Sequence, residues 1–183
     1  MFPGGGASGA RQLIHAAVKA ALTLSFAILL AAATQALAGG TILFAGGGWA
    51  AIDRGNLCEA LSRSAKIAGR GKVQAIAGLT FAADRRRWGE FHARLSREAR
   101  PGSSVMLNIG GSPFLLIARG SDAWSRGAQQ EQAIIAALRG STGMRVEARD
   151  RGGTRFADPY ALDGAPTAID AAAARCAGKM RPH

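Results

Sequence analysis

The sequence has few of the residues on which catalytic and metal sites usually depend. Its 183 residues include two cysteines, three histidines and one tyrosine. Two cysteines without neighbouring histidines fall short of the four ligands of a structural zinc site, so no metal site is expected. The 12 acidic residues are scattered along the chain, which argues against the positioned pair of carboxylates that glycoside hydrolysis requires.

Nucleotide-binding and nucleophile motifs are absent as well. The glycine clusters at 46–48 and 110–111 match neither a P-loop nor a dinucleotide fingerprint, and no serine lies in a G-x-S-x-G turn. We therefore assign no catalytic residue and expect no cofactor. His92 is the only histidine in the body of the chain, and a hydrolase or isomerase that uses it as a general base is the alternative function. A solvent-exposed histidine on a strand is the simpler interpretation.

The N-terminus has the three-part pattern of a secretory signal peptide. Residues 1–19 carry two basic residues but no acidic one, residues 20–38 are uncharged, and the segment closes on Ala36-Leu37-Ala38. This order is typical of exported proteins, so we predict cleavage after Ala38 and a periplasmic or secreted domain. The alternative is an inner-membrane anchor formed by residues 20–38, although a spanning helix needs about 20 apolar residues.

Basic residues outnumber acidic residues, 23 against 12. Residues 1–38 contain two of the basic residues and none of the acidic ones, which leaves the exported part with a net charge of +9. Only four of the 23 are lysines, and the codon bias of a GC-rich genome also produces such an arginine excess. Nucleic acid is not an expected partner in spite of the positive charge, because export separates the protein from the nucleic acids of the cell.

The two cysteines, Cys58 and Cys176, both lie in the part expected to be exported. In an oxidising compartment an isolated pair is most simply a disulfide, and two cysteines allow one connectivity. The bond would close a loop that includes nearly the whole domain. The chain-entropy estimate for such a loop is roughly 5 kcal/mol, which is large beside a typical domain stability of about 5–15 kcal/mol.

Hydrophobic alternation predicts short strands over the first part of the exported chain. A glycine-rich lead-in is expected at residues 39–48. The glycine-containing turns Arg54-Gly55-Asn56 and Gly110-Gly111 each favour a hairpin. Six strands are expected in this region, at 49–53, 58–64, 73–81, 88–96, 105–109 and 114–118.

Helical spacing first occurs after Trp124. Residues 128–139 place apolar side chains on one face and stop at Gly140, and the alanine-rich residues 165–176 do the same with Pro166 in the first turn. A strand pair is expected between these helices, at 144–149 and 154–160.

The order of elements predicts an α+β fold, namely an antiparallel β-sheet or sandwich with two helices. The second helix is C-terminal and would be disulfide-linked to an early strand. Residues 49–177 are expected to form a single β-rich domain, and residues 178–183 a disordered tail.

The C-terminal part resembles the invasion-associated locus B family of small exported bacterial proteins. The resemblance covers residues 132–177 and extends loosely to Trp49 and Cys58. It rests on residues 143–148, Gly153-Thr154, Asp158, Tyr160, Leu162-Asp163-Gly164 and the segment from Ala168 to Cys176. It implies a periplasmic or surface β-rich domain without known catalytic residues, and a part in host association. The function expected is therefore a non-enzymatic binding or envelope-interaction domain.

Arg85-Arg86-Arg87-Trp88 is the strongest candidate for a binding site. Three guanidinium groups beside an indole at a strand turn suit lipid phosphates, acidic glycans or an anionic surface of another protein. We expect the fold to add nearby arginines, such as Arg94 and Arg97. The alternative is a charged turn that keeps a sheet edge soluble, with Trp88 in the core. The membrane itself is expected as a partner only through an uncleaved signal segment.

We predict that the exported protein begins at Gly39, because Ala36 and Ala38 provide the small residues that signal peptidase recognises. N-terminal sequencing of the protein from a periplasmic fraction measures this directly. A membrane-bound product that retains peptides from residues 1–38 would contradict the prediction.

Overall fold

The computed structural model describes residues 39–180, which form ten strands and two helices. The predicted signal peptide at 1–38 and the last three residues lie outside this range. The strands are β1 Thr41–Gly46, β2 Trp49–Asp53, β3 Leu57–Arg63, β4 Ile76–Ala82, β5 Trp88–Arg94, β6 Val105–Ile109, β7 Ser112–Arg119, β8 Asp122–Trp124, β9 Gly143–Arg149 and β10 Arg155–Ala161. The helices are α1, Ala128–Arg139, and α2, Ala165–Ala177.

The strands form one antiparallel sheet in the order β1-β2-β3-β4-β5-β8-β7-β6-β9-β10. β7 joins the two halves, because residues 112–116 pair with β6 and residues 117–119 pair with β8. The sheet curves so that its last strand returns to the first ones. The Trp49 indole of β2 donates to the Ala161 carbonyl of β10 at 2.9 Å. The α+β prediction with an antiparallel sheet and two helices is confirmed.

Alternation along the strands separates a buried face from an outer face. β2, β3, β5, β6 and β10 alternate in burial along most of their length. The buried face carries the two helices: α2 packs on β1 to β4, and α1 packs on β5 to β7. Within the described residues, neither helix combines the length and apolar character needed to cross a membrane.

Small side chains let α2 lie close to the sheet. The residues of α2 that are buried are Ala165, Ala168, Ile169, Ala172 and Cys176. The helix starts after Gly164, where φ is 82° and a Cβ would collide with the Gly46 carbonyl of β1. Only glycine combines that left-handed conformation with so close an approach. The short distance between layers brings Cys176 to Cys58 of β3, with 5.8 Å between their Cα atoms, and the predicted disulfide is present.

Beyond shifts of one or two residues at the ends of strands, the structure differs from the expected strands in three places. The predicted lead-in contains β1, because Leu43 and Phe44 are half-buried against the core and the strand pairs with β2. The strand expected from Val73 starts at Ile76, and Val73 lies in an exposed loop. The short strand β8 was not expected at all. Its three residues are too few for an alternation signal, and it forms because β5 and β7 both pair with it.

We predict that Cys176→Ser lowers the free energy of unfolding by up to roughly 5 kcal/mol, because it removes the crosslink that restricts the unfolded chain. Thermal unfolding followed by circular dichroism measures the change. Ala177→Ser, at an exposed position one residue further along α2, is the matched control and should unfold like the wild type. A reductant should lower the melting temperature of the wild type and leave that of Cys176→Ser unchanged. Equal melting temperatures of the wild type and Cys176→Ser without reductant would contradict the prediction.

Candidate anion-binding groove

The turn between β4 and β5 carries the three consecutive arginines. It is closed by hydrogen bonds from Ala82 N to Arg87 O at 2.7 Å and from Arg85 N to Ala82 O at 3.0 Å. The Asp84 carboxylate accepts the Arg86 N–H at 3.0 Å. Arg85 has a φ of 61° and is the one non-glycine residue among 39–180 with a positive φ. The left-handed conformation costs an ordinary residue about 1–2 kcal/mol, so the turn is strained at Arg85.

A bulge directs Trp88 to the edge of the core. The β4–β5 register shifts at Thr80 and Phe81, which places Gly89 as the extra residue with a φ of 82°. A side chain at Gly89 would also meet Ile135 of α1 at 2.7 Å. Trp88 contacts the Phe81 ring edge-to-face, with 5.3 Å between centroids, and is half-buried. The indole therefore packs into the edge of the core.

Two of the three arginines line a groove of about 690 Å³. Arg85 and Arg87 line it, and Lys179, which follows α2, contributes a third cation. The groove residues are Asn56, Leu57, Ala82, Ala83, Asp84, Arg85, Arg87, Lys179 and Met180. Arg86 is not among them, and its side chain is 88 % exposed beside Asp84, at 4.0 Å. The fold thus separates the three consecutive arginines into two that face the groove and one that does not.

The charges of Arg85 and Arg87 are not neutralised within the described part of the chain. Neither guanidinium forms an ion pair with any carboxylate of residues 39–180. The Arg85 Nε–H instead points at the Met180 sulfur, 2.9 Å away, which is a weak acceptor. Two guanidiniums with free donors therefore border a groove whose one acidic lining residue is Asp84.

The wall formed by Lys179 is held in place by the buried carboxylate of Asp53. Asp53, at the end of β2, is 7 % exposed and forms ion pairs with Lys179 and with Arg175, the latter at 2.6 Å. Lys179 also donates to the Gly55 carbonyl at 2.6 Å. The hydrogen bonds from Lys179 and Arg175 lower the pKa of Asp53 from 3.8 to about 2. Residues 178–180 were expected in the tail, and in the structure they continue from α2 with backbone hydrogen bonds to it, such as Gly178 N–H to Ala174 O at 3.1 Å.

The contribution of Lys179 could have been deduced from the sequence by combining two correct predictions. Asp53 lies directly opposite Cys58 in the predicted hairpin, and Cys58 forms the disulfide with Cys176. The basic residues next to Cys176 along the helix must then approach Asp53. The expectation that residues 178–183 form a disordered tail concealed this relation.

The fold does not bring Arg94 and Arg97 to the arginine turn, which corrects that expectation. Arg94 lies at the opposite end of β5 from Trp88, and a strand of this length spans about 20 Å. Arg94 contacts the Asp122 carboxylate at 3.4 Å. Arg97 forms an ion pair with Asp150 at 3.0 Å. Both belong to the other end of the sheet.

His92 has a partner that the sequence did not reveal. Its Nε2 lies 3.0 Å from Asp122 Oδ1, and its ring stacks on Trp124 with 5.4 Å between centroids. The pairing arises because β8 lies beside β5 with Trp124 opposite His92. Burial raises the pKa of Asp122, but hydrogen bonds from Arg94 and His92 outweigh this effect and hold the pKa below its ordinary value.

The geometry defines a disulfide-linked α+β domain with a cationic groove at one end of its sheet. Among residues 39–180, no group of three or more histidine, cysteine or acidic side chains could hold a metal ion. The chain matches no protein-family model, no curated protein and no solved structure.

We predict that Asp53→Asn lowers the free energy of unfolding at pH 7 and that its difference from the wild type shrinks as the pH falls from about 4 to about 2. The pKa of Asp53 is lower in the folded state, so its stabilisation is complete above the ordinary pKa of 3.8 and is lost as the pH falls through about 2. Denaturant unfolding at several pH values measures the difference.

Lys179→Met provides the control for this prediction, since it removes one partner of the same carboxylate. Adding Lys179→Met to Asp53→Asn should change stability less than Lys179→Met does alone. A difference between wild type and Asp53→Asn that stays the same from pH 7 to pH 2 would contradict the pairing.

Proposed function

We propose that this chain is an exported, non-enzymatic binding domain that holds an anionic group of the cell envelope in the groove beside Arg85 and Arg87. The observation that carries the proposal is the state of Arg85. It is held in a left-handed conformation, and its guanidinium borders the groove without a carboxylate partner among the described residues. Strained residues of this kind concentrate at ligand-binding sites.

A phosphate or a carboxylate is the ligand chemistry that suits this groove. Guanidiniums present parallel N–H donors that match the oxygens of either group, and such charge-assisted pairs are stronger than neutral hydrogen bonds. Lys179 adds a positive charge but is shared with Asp53, so Arg85 and Arg87 provide the free donors. A volume of about 690 Å³ is in the range of sites for small ligands, such as a lipid headgroup or a short acidic glycan.

The compartment and the family are part of the same proposal. The disulfide between Cys58 and Cys176 supports a periplasmic or secreted location, which the signal pattern at residues 1–38 also indicates. The residues that resemble the invasion-associated locus B family lie in β9, β10, α2 and the two turns between them. The proposed membership of that family, and with it a proposed part in host association, rests on those residues alone.

An enzyme that uses His92 is the second candidate function. The observation in its favour is the 3.0 Å contact between His92 Nε2 and Asp122 Oδ1, an arrangement that could orient a general base. Asp122 is also engaged by Arg94, and the His92 ring is covered on one face by Trp124. These contacts suit a structural ion pair on the outer face of the sheet, so we place binding before catalysis.

We predict that the double variant Arg85→Gln/Arg87→Gln binds inorganic pyrophosphate or a uronic-acid disaccharide about tenfold or more weakly than the wild type, because each substitution removes charged donors. Titration followed by NMR of the arginine Nε–H groups measures the affinity, and the two probes separate phosphate from carboxylate ligands. Binding by the wild type should weaken as salt shortens the Debye length below about 8 Å.

Two controls separate the groove from general electrostatics and from stability. Arg86→Gln/Arg119→Gln removes the same charge outside the groove and should bind like the wild type. Arg85→Gly relieves the left-handed strain, so it should keep the melting temperature while weakening binding. Equal binding by wild type and Arg85→Gln/Arg87→Gln would refute the proposal.

A further inference from the structure

The segment between β3 and β4 exposes apolar and basic side chains together. We call residues 65–73 the basic loop. Ile67 is 81 % exposed and Val73 is 52 % exposed, so the loop carries two of the large apolar side chains that the described domain leaves in solvent. Lys66, Arg70 and Lys72 alternate with them, and no acidic residue occurs between residues 64 and 83. A loop that merely needed to be soluble would not require two exposed β-branched side chains.

Hydrogen bonds hold the basic loop in one conformation. The Gln74 side chain spans its base, donating to the Ser64 carbonyl at 3.1 Å and accepting from Ala68 N–H at 2.9 Å. Ala65 N–H donates to the Pro159 carbonyl of β10 at 2.8 Å. Ile67 is therefore kept outside by a preformed structure, which reduces the ordering cost of binding.

The cations of the basic loop are available to a ligand. Lys66, Arg70 and Lys72 form no ion pair with any carboxylate of residues 39–180. Ile67 and Val73 line a groove of about 450 Å³ together with Lys66, Lys72 and Arg97. Its one acidic residue, Asp150, is already paired with Arg97 at 3.0 Å. The groove thus has a net positive lining next to an exposed apolar tip.

We propose that the basic loop docks on the surface of a bilayer that contains anionic phospholipids. Ile67 and Val73 enter the boundary between headgroups and acyl chains, while Lys66, Arg70 and Lys72 meet lipid phosphates. Exposed apolar side chains flanked by Lys and Arg are the combination that interfacial membrane binding requires. Long basic side chains reach back to the headgroups when the apolar residues between them are inserted.

The shape of the loop favours a bilayer over a protein partner. A stable protein interface buries about 1,200 Å² or more over a matched surface. The basic loop instead exposes two separate apolar side chains, Ile67 and Val73, among cations that have no carboxylate partner in residues 39–180. A deformable, uniformly anionic surface can contact these side chains without a matching shape.

Docking through the basic loop does not depend on the groove at Arg85 and Arg87. It would, however, determine how that groove is oriented relative to the membrane. The loop precedes β4 and the arginine turn follows it, so the two sites lie at opposite ends of the strand. A strand of this length spans about 20 Å. A docked molecule therefore presents the arginine groove away from the membrane.

The test is co-sedimentation of the oxidised protein, purified after export, with vesicles of phosphatidylcholine with and without phosphatidylglycerol. The wild type should bind the phosphatidylglycerol vesicles and not the neutral ones. Lys66→Gln/Arg70→Gln/Lys72→Gln should weaken partitioning about a hundredfold, at roughly fivefold for each cation near an anionic surface. Ile67→Ser should weaken it about tenfold, because the apolar side chain no longer leaves water.

Matched variants show whether the basic loop is responsible. Ile42→Ser removes an isoleucine that is 66 % exposed on β1 and should bind like the wild type. Arg85→Gln/Arg86→Gln/Arg87→Gln removes three charges at the other end of β4. Its binding to anionic vesicles should be weakened less than that of Lys66→Gln/Arg70→Gln/Lys72→Gln. In Ile67→Trp the new indole should shift its emission to shorter wavelength on anionic vesicles, and in Ile42→Trp it should not.

The opposite results would overturn the proposal. No vesicle binding by the wild type, equal binding to neutral vesicles, or unchanged binding by Ile67→Ser and the loop triple variant would each do so. A loss seen only when Arg85–Arg87 are replaced would assign lipid binding to the groove, which would overturn docking through the loop and leave the proposed function standing.

Discussion

The bond between Cys58 and Cys176 is the constraint on which the described structure depends most. It joins the last turn of α2 to β3, and the 5.8 Å between Cα atoms requires the helix to lie close on the sheet. Small residues along α2 permit that approach. The same contact places Arg175 and Lys179 over Asp53, which lies opposite Cys58. The wall of the arginine groove is thus a consequence of the crosslink.

The distribution of charge matters more for this domain than its net value. Many of its arginines are ion-paired on the surface, as Arg94 is with Asp122 and Arg97 with Asp150, and such pairs leave little charge for a ligand. Two groups of cations on which the proposals rest form no ion pair with a carboxylate of residues 39–180. One is Arg85 with Arg87, and the other is the basic loop. They lie at opposite ends of β4, so the proposed membrane contact and the proposed anion site do not overlap.

Backbone geometry marks the arginine turn as more than a connection. Every other residue with a positive φ among residues 39–180 is a glycine, which adopts that conformation without strain. Arg85 is the exception, with a φ of 61°, and the neighbouring bulge at Gly89 moves Trp88 toward Phe81. The indole thereby supports the base of the turn. Local strain and local packing together hold two guanidiniums toward one groove.

Local patterns in the sequence were enough for the elements whose signals lie within a few residues. The bounds of α1 follow from apolar spacing and Gly140, the helical face of α2 ends on Cys176, and the hairpin at Gly55 follows from its turn residues. The disulfide followed from there being two cysteines and one possible pairing. These features need no knowledge of which strands are neighbours.

Only the tertiary structure decided which distant side chains meet. Alternation shows the face on which a residue lies but not the strand beside it. The insertion of β8 next to β5, and with it the pair of His92 and Asp122, was therefore invisible in the sequence. For the same reason Arg94 lies a strand's length from Trp88, although the two are close along the chain. Lys179 reaches the groove because packing of α2, not local propensity, determines where the helix ends.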